Sequence, residues 1–519
     1  MSVTPTYPGV YITEIPSGSR TIVGVATSIT AFVGSGLRGP VDEPVPIASF
    51  ADFERTFGGL WRASGLAYAV RDFYLNGGGE ALVVRVVHVD EADDDASAAS
   101  ATLDVDGLSL AAAGPGVWGN ALQVLVTHPS GTDAADVADG QGVEATDLFS
   151  VVVREGAVDE AGPSETYLNV TTVEGPRRVD VVLGASRMVR TTGSLPPSRP
   201  AEGTYTVAAT AQGRDGEPPG LLDYQGDADA KTGLYALLQA SLFNLLCIPP
   251  PTLGTDVPDS LWSEAAAFCR QQRAFLLVDA PANETVDGIA TWVTGTAGLT
   301  GSDMRNAAVY FPRIRRPDPL RGGATADFAA CGALAGTFAR TDGNRGVWKA
   351  PAGIEAGLAG VVGLTAPLTD AENGRLNPQG INCLRTFRGI GSVVWGARTL
   401  RGSDLLADEY KYVPVRRLAL FMEETLYRNT QWVVFEPNDE PLWGQIRASI
   451  GAFMQDLFRR GAFQGSSPRD AYFVRCDADT TTQFDIDRGI VNIVVGFAPL
   501  KPAEFVVIGI QQKTASAGA

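Results

Sequence analysis

Three glycines in the segment GSGLRGP have the spacing of a nucleotide-binding loop. Gly34, Gly36 and Gly39 match G-x-G-x-x-G, a pattern in which a helix N-terminus faces a pyrophosphate group. That chemistry requires a helix to begin within the glycines. Pro40 follows Gly39 directly and more prolines come soon after, so a helix cannot form there. The segment is therefore predicted to be a loop that binds no nucleotide.

Other residues of catalytic type stand alone. Gly226 and Lys231–Thr232 are spaced somewhat like a phosphate-binding loop, but the glycine directly before the lysine is missing. Asp279 ends a predicted strand without a matching histidine or second acid, so we expect it to cap its loop. The sequence contains no serine-centred G-x-S-x-G turn. The chain is therefore predicted to be no enzyme, with no catalytic and no cofactor-binding residues.

Metal binding is also not predicted. Only His88 and His128 could add imidazole ligands, and no C-x-x-C spacing occurs. The cysteines are far apart and odd in number, which indicates free buried thiols in a reducing compartment. They are Cys247, Cys269, Cys331, Cys383 and Cys476.

Composition predicts a soluble protein of several domains with an uneven charge. A chain of 519 residues is too long for one core. Its net charge of −18 argues against general nucleic-acid binding. Residues 380–519 carry 16 Lys and Arg against 15 Asp and Glu, so the acidity lies in the rest of the chain. We find no apolar run of about 18 residues and no signal-peptide pattern, so assembly in the cytoplasm is expected.

Alternation of strand and helix patterns predicts an α/β domain in two parts, residues 23–96 and 201–365. Between them, residues 97–200 have short β runs joined by Gly- and Asp-rich turns, which predicts an inserted β-sandwich. Val179–Val182 is one of its candidate strands. Asp133–Gly142 is predicted to be a surface loop. The fold class is thus α/β plus α+β, with several domains.

Residues 366–506 are predicted to form a C-terminal α+β domain around one helix. Asn438 is the expected N-cap and Gly461 the left-handed residue after the C-terminus. Between them apolar residues recur at helical spacing, at Trp443, Ile446, Ile450, Phe453 and Leu457. Short β runs around this helix predict a mainly antiparallel sheet. They are Val393–Trp395, Gln431–Phe435, Ala471–Cys476, Ile490–Gly496 and Phe505–Ile510.

The chain ends are predicted to be extended arms, residues 1–22 and 507–519. The first contains three prolines that forbid helix, whereas Val10, Tyr11 and Ile12 suit a strand. Such an arm cannot bury itself alone, and chain ends without a partner are usually disordered.

Several strings resemble contractile tail sheath proteins, the family that builds phage tails and phage-tail-like contractile injection systems. The N-terminal PGVYITEIPSG and the turn GPGVWGN are similar to segments of that family, and the C-terminal part carries the most specific strings. These are GIN at Gly380–Asn382, WGARTL at Trp395–Leu400, YVPVRRL at Tyr412–Leu418, VVFEPN at Val433–Asn438 and PAEFV at Pro502–Val506.

The resemblance implies a structural subunit that polymerises as stacked helical rings around an inner tube and contracts to drive the tube through a target envelope. It implies a subtilisin-like α/β layer without protease activity. The implied partners are further copies of the chain, the inner tube protein, and baseplate and terminator or cap proteins. Nucleic acid is not a partner, and a membrane is met only through the assembled particle. The implied particle is a phage tail or a contractile injection particle, for which cell lysis is one route of release.

The resemblance also implies functional residues. The arms would add strands to a neighbouring subunit. Their strand residues are Val10, Tyr11, Ile12, Phe505, Val506, Val507 and Ile508. The charge split between the acidic part and the C-terminal part suggests that arginines contact the inner tube. Arg447 and Arg459 are the candidates, because the apolar face of their helix is needed for the core.

Two other functions stay open at this stage. Strand–helix alternation is also typical of an α/β hydrolase, and a particle component could be a baseplate or capsid protein instead. Hollow striated tubes formed by the purified protein would distinguish a sheath from both alternatives.

Overall fold

The protein is represented by a computed structural model that describes residues 20–90, 92–93, 95–156 and 162–509. Within these ranges the chain forms twenty strands. They are β1 (Thr30–Gly34), β2 (Val45–Ile47), β3 (Ala81–Arg85), β4 (Thr102–Val105), β5 (Leu108–Ala112), β6 (Leu122–Thr127), β7 (Phe149–Glu155), β8 (Ser164–Val170), β9 (Val189–Thr191), β10 (Gly203–Thr206), β11 (Leu245–Cys247), β12 (Phe275–Asp279), β13 (Ala307–Phe311), β14 (Ile314–Pro317), β15 (Thr325–Phe328), β16 (Gly363–Leu364), β17 (Ile381–Phe387), β18 (Gly391–Val394), β19 (Tyr472–Arg475) and β20 (Val494–Phe497).

The same ranges form thirteen α-helices, several of them a single turn. Side chains cap the N-termini of some of these helices. At the helix that begins at Phe50, for example, Ser49 Oγ accepts a hydrogen bond from the N–H of Asp52. They are α1 (Phe50–Phe57), α2 (Leu66–Leu75), α3 (Thr132–Gln141), α4 (Val179–Leu183), α5 (Leu221–Gln225), α6 (Leu261–Gln271), α7 (Ile289–Thr291), α8 (Cys331–Arg345), α9 (Asp370–Leu376), α10 (Val413–Asn429), α11 (Glu440–Arg459), α12 (Pro468–Ala471) and α13 (Gln483–Asp487).

The largest sheet has eight strands in the order β18-β17-β13-β12-β11-β1-β3-β2. The six inner strands run parallel, and β2 and β18 pair antiparallel at the two edges. Every residue of β1, β12 and β13 is buried, which is why these strands read as continuous apolar runs. The predicted α/β layer is therefore confirmed as a mostly parallel sheet with helices.

Two antiparallel sheets form the middle of the chain. Their orders are β10-β6-β7-β8 and β4-β5-β9, and they share one core that includes Trp118 and Phe149. Two local predictions here are wrong. Val179–Leu183 is a helical turn: Val179 and Leu183, four residues apart on one face, are buried, whereas Val181, which a strand would place on the same face as both, is exposed. The predicted surface loop Asp133–Gly142 lies mostly in α3, which buries Ala134 and Ala138.

The C-terminal part is organised around α11, as predicted. The helix buries the apolar stripe from Trp443 to Leu457, and Gly461 follows it with a φ of 78°. The cap differs by one residue: Asp439 accepts from the N–H of Leu442 at 3.1 Å. Asn438 instead accepts from the indole N–H of Trp443 at 2.9 Å. Asn438 thereby fixes the first buried side chain rather than the helix end.

The predicted sheet around this helix is much smaller in the structure. Gln431–Phe435 is not a strand but a helical turn, Gln431–Val433, followed by an irregular segment in which Phe435 has a φ of 70°. The run Val393–Trp395 corresponds to β18, which pairs with β17 in the large sheet. Among the described strands only β19 and β20 pair near the helix, and one isolated antiparallel bridge joins Phe463 to Pro499. Local β propensity does not identify the partner strand, which explains both differences.

The chain divides into two compact units. Unit 1 contains residues 1–27, 345–350 and 414–519, and unit 2 contains residues 28–344 and 351–413. The predicted domain boundary at residue 366 differs from this division, because β17 and β18 pair within unit 2. Among the described residues, no helix combines the length and the apolar character needed to cross a bilayer.

Candidate functional site

The glycine loop after β1 encloses a buried arginine. The Arg85 guanidinium donates to the carbonyl oxygens of Gly36 at 2.8 Å, Gly39 at 2.9 Å and Pro115 at 2.7 Å. Burial lowers the pKa of Arg85 to about 10. The loop thus points carbonyl groups inward at a cation. A phosphate-binding loop does the reverse and points N–H groups at an anion.

The isolated carboxylate of Asp279 has the capping role predicted for it. One of its oxygens accepts from the backbone N–H groups of Ala330 at 2.8 Å and Cys331 at 2.9 Å, where α8 begins. Its burial raises the pKa of this carboxyl group. A carboxylate at a helix N-terminus is a common structural arrangement. These two hydrogen bonds give the buried carboxylate of Asp279 a structural role at the start of α8.

The cysteine and histidine side chains also lie in surroundings that suit a structural role. All five cysteines are free and buried. Over the described ranges, no three His, Cys, Asp or Glu side chains are grouped so that they could hold a metal ion. One pair is not evident from the sequence: His88 Nδ1 lies 2.8 Å from Asp223 Oδ2. Asp223 also accepts from the N–H of Gly220 at 2.7 Å, so it closes a local turn.

The strands β19 and β20 form an antiparallel pair that bonds to no third strand among those the structure describes. Tyr472 pairs with Phe497 and Arg475 with Val494 in antiparallel register. One face packs on α11, where the Tyr472 hydroxyl donates to Gln455 at 2.9 Å. A two-stranded sheet leaves backbone N–H and C=O groups outside its ladder on both sides. Within the described part of unit 1, this pair is the place where an added strand would find such groups.

The segment that follows β20 is exposed. Phe505, Val506, Val507 and Ile508 have relative exposures of 74, 81, 93 and 78%. The predicted strand Phe505–Ile510 is not formed over residues 505–509, where the run pairs with none of the described strands. A run of four consecutive exposed apolar side chains is unusual for a monomer surface. Val10, Tyr11 and Ile12 of the N-terminal arm lie outside the described residues.

Arg447 folds back along its own helix. It donates to the carboxylate of Glu440 at 2.5 Å and to the carbonyl oxygen of Cys476. The hydrogen bond to Glu440 raises the pKa of Arg447. Its side chain therefore ties the start of α11 to the end of β19.

Arg459 has a different position. It is exposed in the last turn of α11, where a cation suits the helix dipole. Helix geometry separates Arg459 from Arg447 by about 18 Å along the axis and about 120° around it. The structure does not bring the two predicted contact residues together, and of the two Arg459 is on the outward face.

Two family models match the chain. The model described as phage tail sheath protein central domain matches residues 225–400, and the phage tail sheath C-terminal domain matches residues 407–513. Among curated proteins, the tail sheath protein of Burkholderia phage BcepMu is 25% identical over 472 residues, covering 88% of this chain and 87% of that protein. The tail sheath protein of Enterobacteria phage T4 is 23% identical over 246 residues, 45% of this chain and 34% of that protein.

Solved structures share the fold over almost the whole chain. The contracted helical sheath of the anti-feeding prophage has a TM-score of 0.57 at 22% identity, covering 98% of this chain and 100% of that chain. The contracted sheath complex of the PVC extracellular contractile injection system has a TM-score of 0.56 at 22% identity, with 99% of each chain covered. The sheath tail protein of Listeria innocua has a TM-score of 0.59 at 15% identity, covering 92% of this chain and 96% of that chain.

Proposed function

The chain belongs to the phage tail sheath protein family and is a structural subunit of a contractile sheath, and from this premise we propose how it assembles and acts. Subunits stack as helical rings around an inner tube, and contraction of the stack drives the tube through a target envelope. The observation that carries this proposal is the combination, in unit 1, of an open-edged strand pair with an exposed apolar segment.

Strand addition links the subunits in this proposal. Among the described strands, β19 and β20 pair only with each other, and residues 505–508 are an exposed apolar run that joins none of these strands. An extended segment added to a sheet edge gains main-chain hydrogen bonds, each contributing a net of roughly 0.5–1.5 kcal/mol. Phe505 to Ile508 of one subunit, and Val10, Tyr11 and Ile12 of another, are the segments we assign to this exchange. Several bonds per arm make a strong joint that can still bend.

Contraction follows from a difference between the two units. Unit 1 holds the exchanged strands, so it stays linked to its neighbours. Unit 2 carries the acidic part of the chain and forms new contacts with other subunits as the sheath shortens. The energy is stored when the extended sheath assembles, so no nucleotide is needed for firing. The carbonyl-lined loop around Arg85 is consistent with this, because it is built for a cation and not for a phosphate.

The inner tube is contacted by unit 1 in this proposal. Residues 380–519 are nearly neutral, whereas the rest of the chain is strongly acidic. An acidic outer layer keeps a particle soluble, while the inner layer has to approach another protein. Arg459, on the outward face of α11, is the better placed of the two candidate residues. Exposed ion pairs are worth about 0–1 kcal/mol each and exchange easily. Such pairs suit a contact with the inner tube that has to break when the sheath contracts.

We further propose that the chain has no enzymatic activity, that its α/β layer is of the subtilisin-like type, and that the particle assembles in the cytoplasm and leaves the cell on lysis. The run of parallel strands in the large sheet supports the fold relation. Baseplate and terminator or cap proteins bound the sheath at its ends. Nucleic acid is not a partner, and a membrane is met only through the assembled particle.

Electron microscopy of the purified full-length protein tests the proposal. We expect hollow, helically striated tubes at high protein concentration, with a lumen wide enough for a protein tube. Mixing with the inner tube protein should give longer and more regular assemblies. A protein that stays monomeric at every concentration, with and without the tube protein, would overturn the proposal. An α/β hydrolase would give that monomeric result together with turnover of ester or peptide substrates.

A further inference from the structure

Residues 20–27, which we name the root segment, lie along α10 and are held there by side chains. The N–H of Val23 donates to Asn429 Oδ1 at 3.3 Å, and Asn429 Nδ2 donates back to the carbonyl oxygen of Val23 at 3.1 Å. The N–H of Val25 donates to Thr425 Oγ1 at 3.3 Å. All three hydrogen bonds are made to backbone N–H or C=O groups of the root segment, which are the groups that a neighbouring strand would bind.

The helix residues that make these contacts are spaced four apart. Arg417, Phe421, Thr425 and Asn429 lie on one side of α10 because residues four apart share a helix face. Arg417 Nη2 donates to the carbonyl oxygen of Thr27 at 2.9 Å. Thr27, Val25 and Val23 thus meet Arg417, Thr425 and Asn429 in turn, so the root segment runs antiparallel to the helix.

Phe421 fixes the distance between the root segment and α10. A Cβ atom added to Gly24 would lie 2.9 Å from Phe421 Cζ, closer than ordinary van der Waals contact. Any larger residue at position 24 would therefore require the ring or the root segment to shift.

A second helix holds the start of the root segment. The N–H of Arg20 donates to Ser449 Oγ of α11 at 3.0 Å, and the Arg20 guanidinium carbon lies 4.7 Å from the centre of the Trp432 ring. Ile22 packs on the same apolar core as α11. The root segment thus bridges α10 and α11, and all of these contacts lie within unit 1.

We propose that Arg417, Thr425, Asn429 and Ser449 are positioning residues that anchor the N-terminal arm. They hold its root to unit 1, so that residues 1–19 leave from a fixed point. This inference rests on the proposed strand exchange. It adds the residues through which the arm transmits force to unit 1. Release of the root would add eight residues, about 26 Å of extended chain, between the subunit body and the exchanged strand. A pull from the neighbouring subunit would then extend the chain before it moved the subunit.

The anchor can be tested in full-length protein with Asn429→Leu and Thr425→Val, which keep side-chain size while removing the hydrogen-bonding groups. Amide hydrogen exchange of Val23 and Val25 measures the anchor directly. Each lost bond should shift the bound-to-released equilibrium by a factor of about 2 to 10, and exchange should accelerate accordingly. Thr425→Ser keeps the hydroxyl and should restore slow exchange. Gln431→Ala is the matched control, because among the described contacts its side-chain amide bonds only to the carbonyl oxygen of Tyr427, in the last turn of α10.

Tube formation is the second readout. We expect Asn429→Leu and Thr425→Val to yield fewer tubes, while Gln431→Ala and Thr425→Ser assemble as the wild type does. If the α10 variants do not fold, Gly24→Val releases the root from the segment side, where the residue is exposed, and the same readouts apply.

Wild-type amides at Val23 and Val25 that exchange like an unstructured peptide would overturn the anchor. Fast exchange with normal tubes in the variants would overturn the positioning role and leave the proposed function intact. A wild-type protein that never forms tubes would instead contradict the proposed function, and slow exchange at the two amides would then still establish the anchor as a structural feature.

Discussion

Arg447 donates a 2.5 Å hydrogen bond to Glu440, seven residues earlier in the same helix. The guanidinium group that the sequence predicts to contact the inner tube is therefore paired within its own chain. Arg459, the other residue predicted to contact the inner tube, is exposed at the C-terminal end of α11. The two arginines are therefore expected to behave differently when they are reversed in charge.

Arg459→Glu should weaken co-assembly with the inner tube protein more than Arg447→Glu does. The reason is that Arg459 is exposed, whereas reversal of Arg447 mainly disturbs its bonds to Glu440 and Cys476. Each exposed pair is worth about 0–1 kcal/mol, but the loss recurs at every subunit along the tube. Sedimentation of mixed sheath and tube protein at low salt measures the effect, because charge effects are largest there.

Arg469→Glu is the matched control for that experiment. Arg469 is an exposed arginine of unit 1 outside α11, and its reversal changes the net charge equally. Equal co-assembly of Arg459→Glu and Arg469→Glu at low salt would show that the tube contact lies elsewhere.

Deletion of residues 1–19 should abolish tube formation without unfolding the subunit. The cut leaves Arg20 and the rest of the root segment on α10 and α11. We expect a soluble monomer that unfolds cooperatively in denaturant, and analytical ultracentrifugation combined with electron microscopy checks both points. Sheaths of normal appearance from the shortened chain would contradict the exchange of N-terminal strands.

An epitope inserted after Gly142 should remain accessible in intact tubes. Gly142 is exposed at the C-terminal end of α3, and no other part of the described chain lies within 4 Å of where its Cβ atom would be. The middle of α3 is a poor insertion site, because Ala134 and Ala138 are buried. Antibody labelling of assembled tubes is the measurement. Labelling of monomers but not of tubes would place this part of the inserted domain inside the particle.

The buried pair Asp72 and Arg316 should give a distinctive pH dependence. Their side chains lie 3.1 Å apart and are only 2% and 3% exposed, and burial raises the pKa of Asp72 from 3.8 to about 7. A carboxyl group with a raised pKa binds more protons in the folded state, so its contribution to stability falls as pH rises from about 4 to about 7. Asp72→Asn removes this titration.

The free energy of unfolding of wild type should therefore fall relative to Asp72→Asn by up to about 4 kcal/mol over that interval, three pKa units at 1.36 kcal/mol each. Urea denaturation of both proteins at several pH values measures the difference. Parallel stability curves for the two proteins would mean that Asp72 titrates normally.

Two glycines of α8 should respond in opposite directions to alanine. A Cβ atom on Gly332 would overlap the backbone carbonyl oxygen of Ala69 in α2, so Gly332→Ala should cost roughly 1–3 kcal/mol. Gly343 is exposed in the same helix with nothing near its would-be Cβ, so Gly343→Ala should stabilise by up to about 1 kcal/mol. Thermal unfolding of the two variants measures both. Equal shifts in the two melting temperatures would contradict the close helix approach.

The sequence alone determined what depends on neighbouring residues. The apolar spacing from Trp443 to Leu457 fixed the buried face of α11, and the prolines after Gly39 excluded a nucleotide loop. Short strings shared with the sheath family identified the function, because several specific segments occur in one order along the chain. A helix face and a proline-blocked loop are local properties, so the primary structure specifies them directly.

Only the tertiary structure decided which segments meet. The β propensity of residues 393–395 predicts a strand of the sheet around α11, but the structure pairs this run with β17 in the large sheet. The bonds of Asn429 and Thr425 to Val23 and Val25 join residues about 400 positions apart, and polar side chains four apart on a helix were the only local sign of them. Strand pairing and segment docking depend on long-range contacts whose free energy comes from partners elsewhere in the chain, and a local pattern does not name those partners.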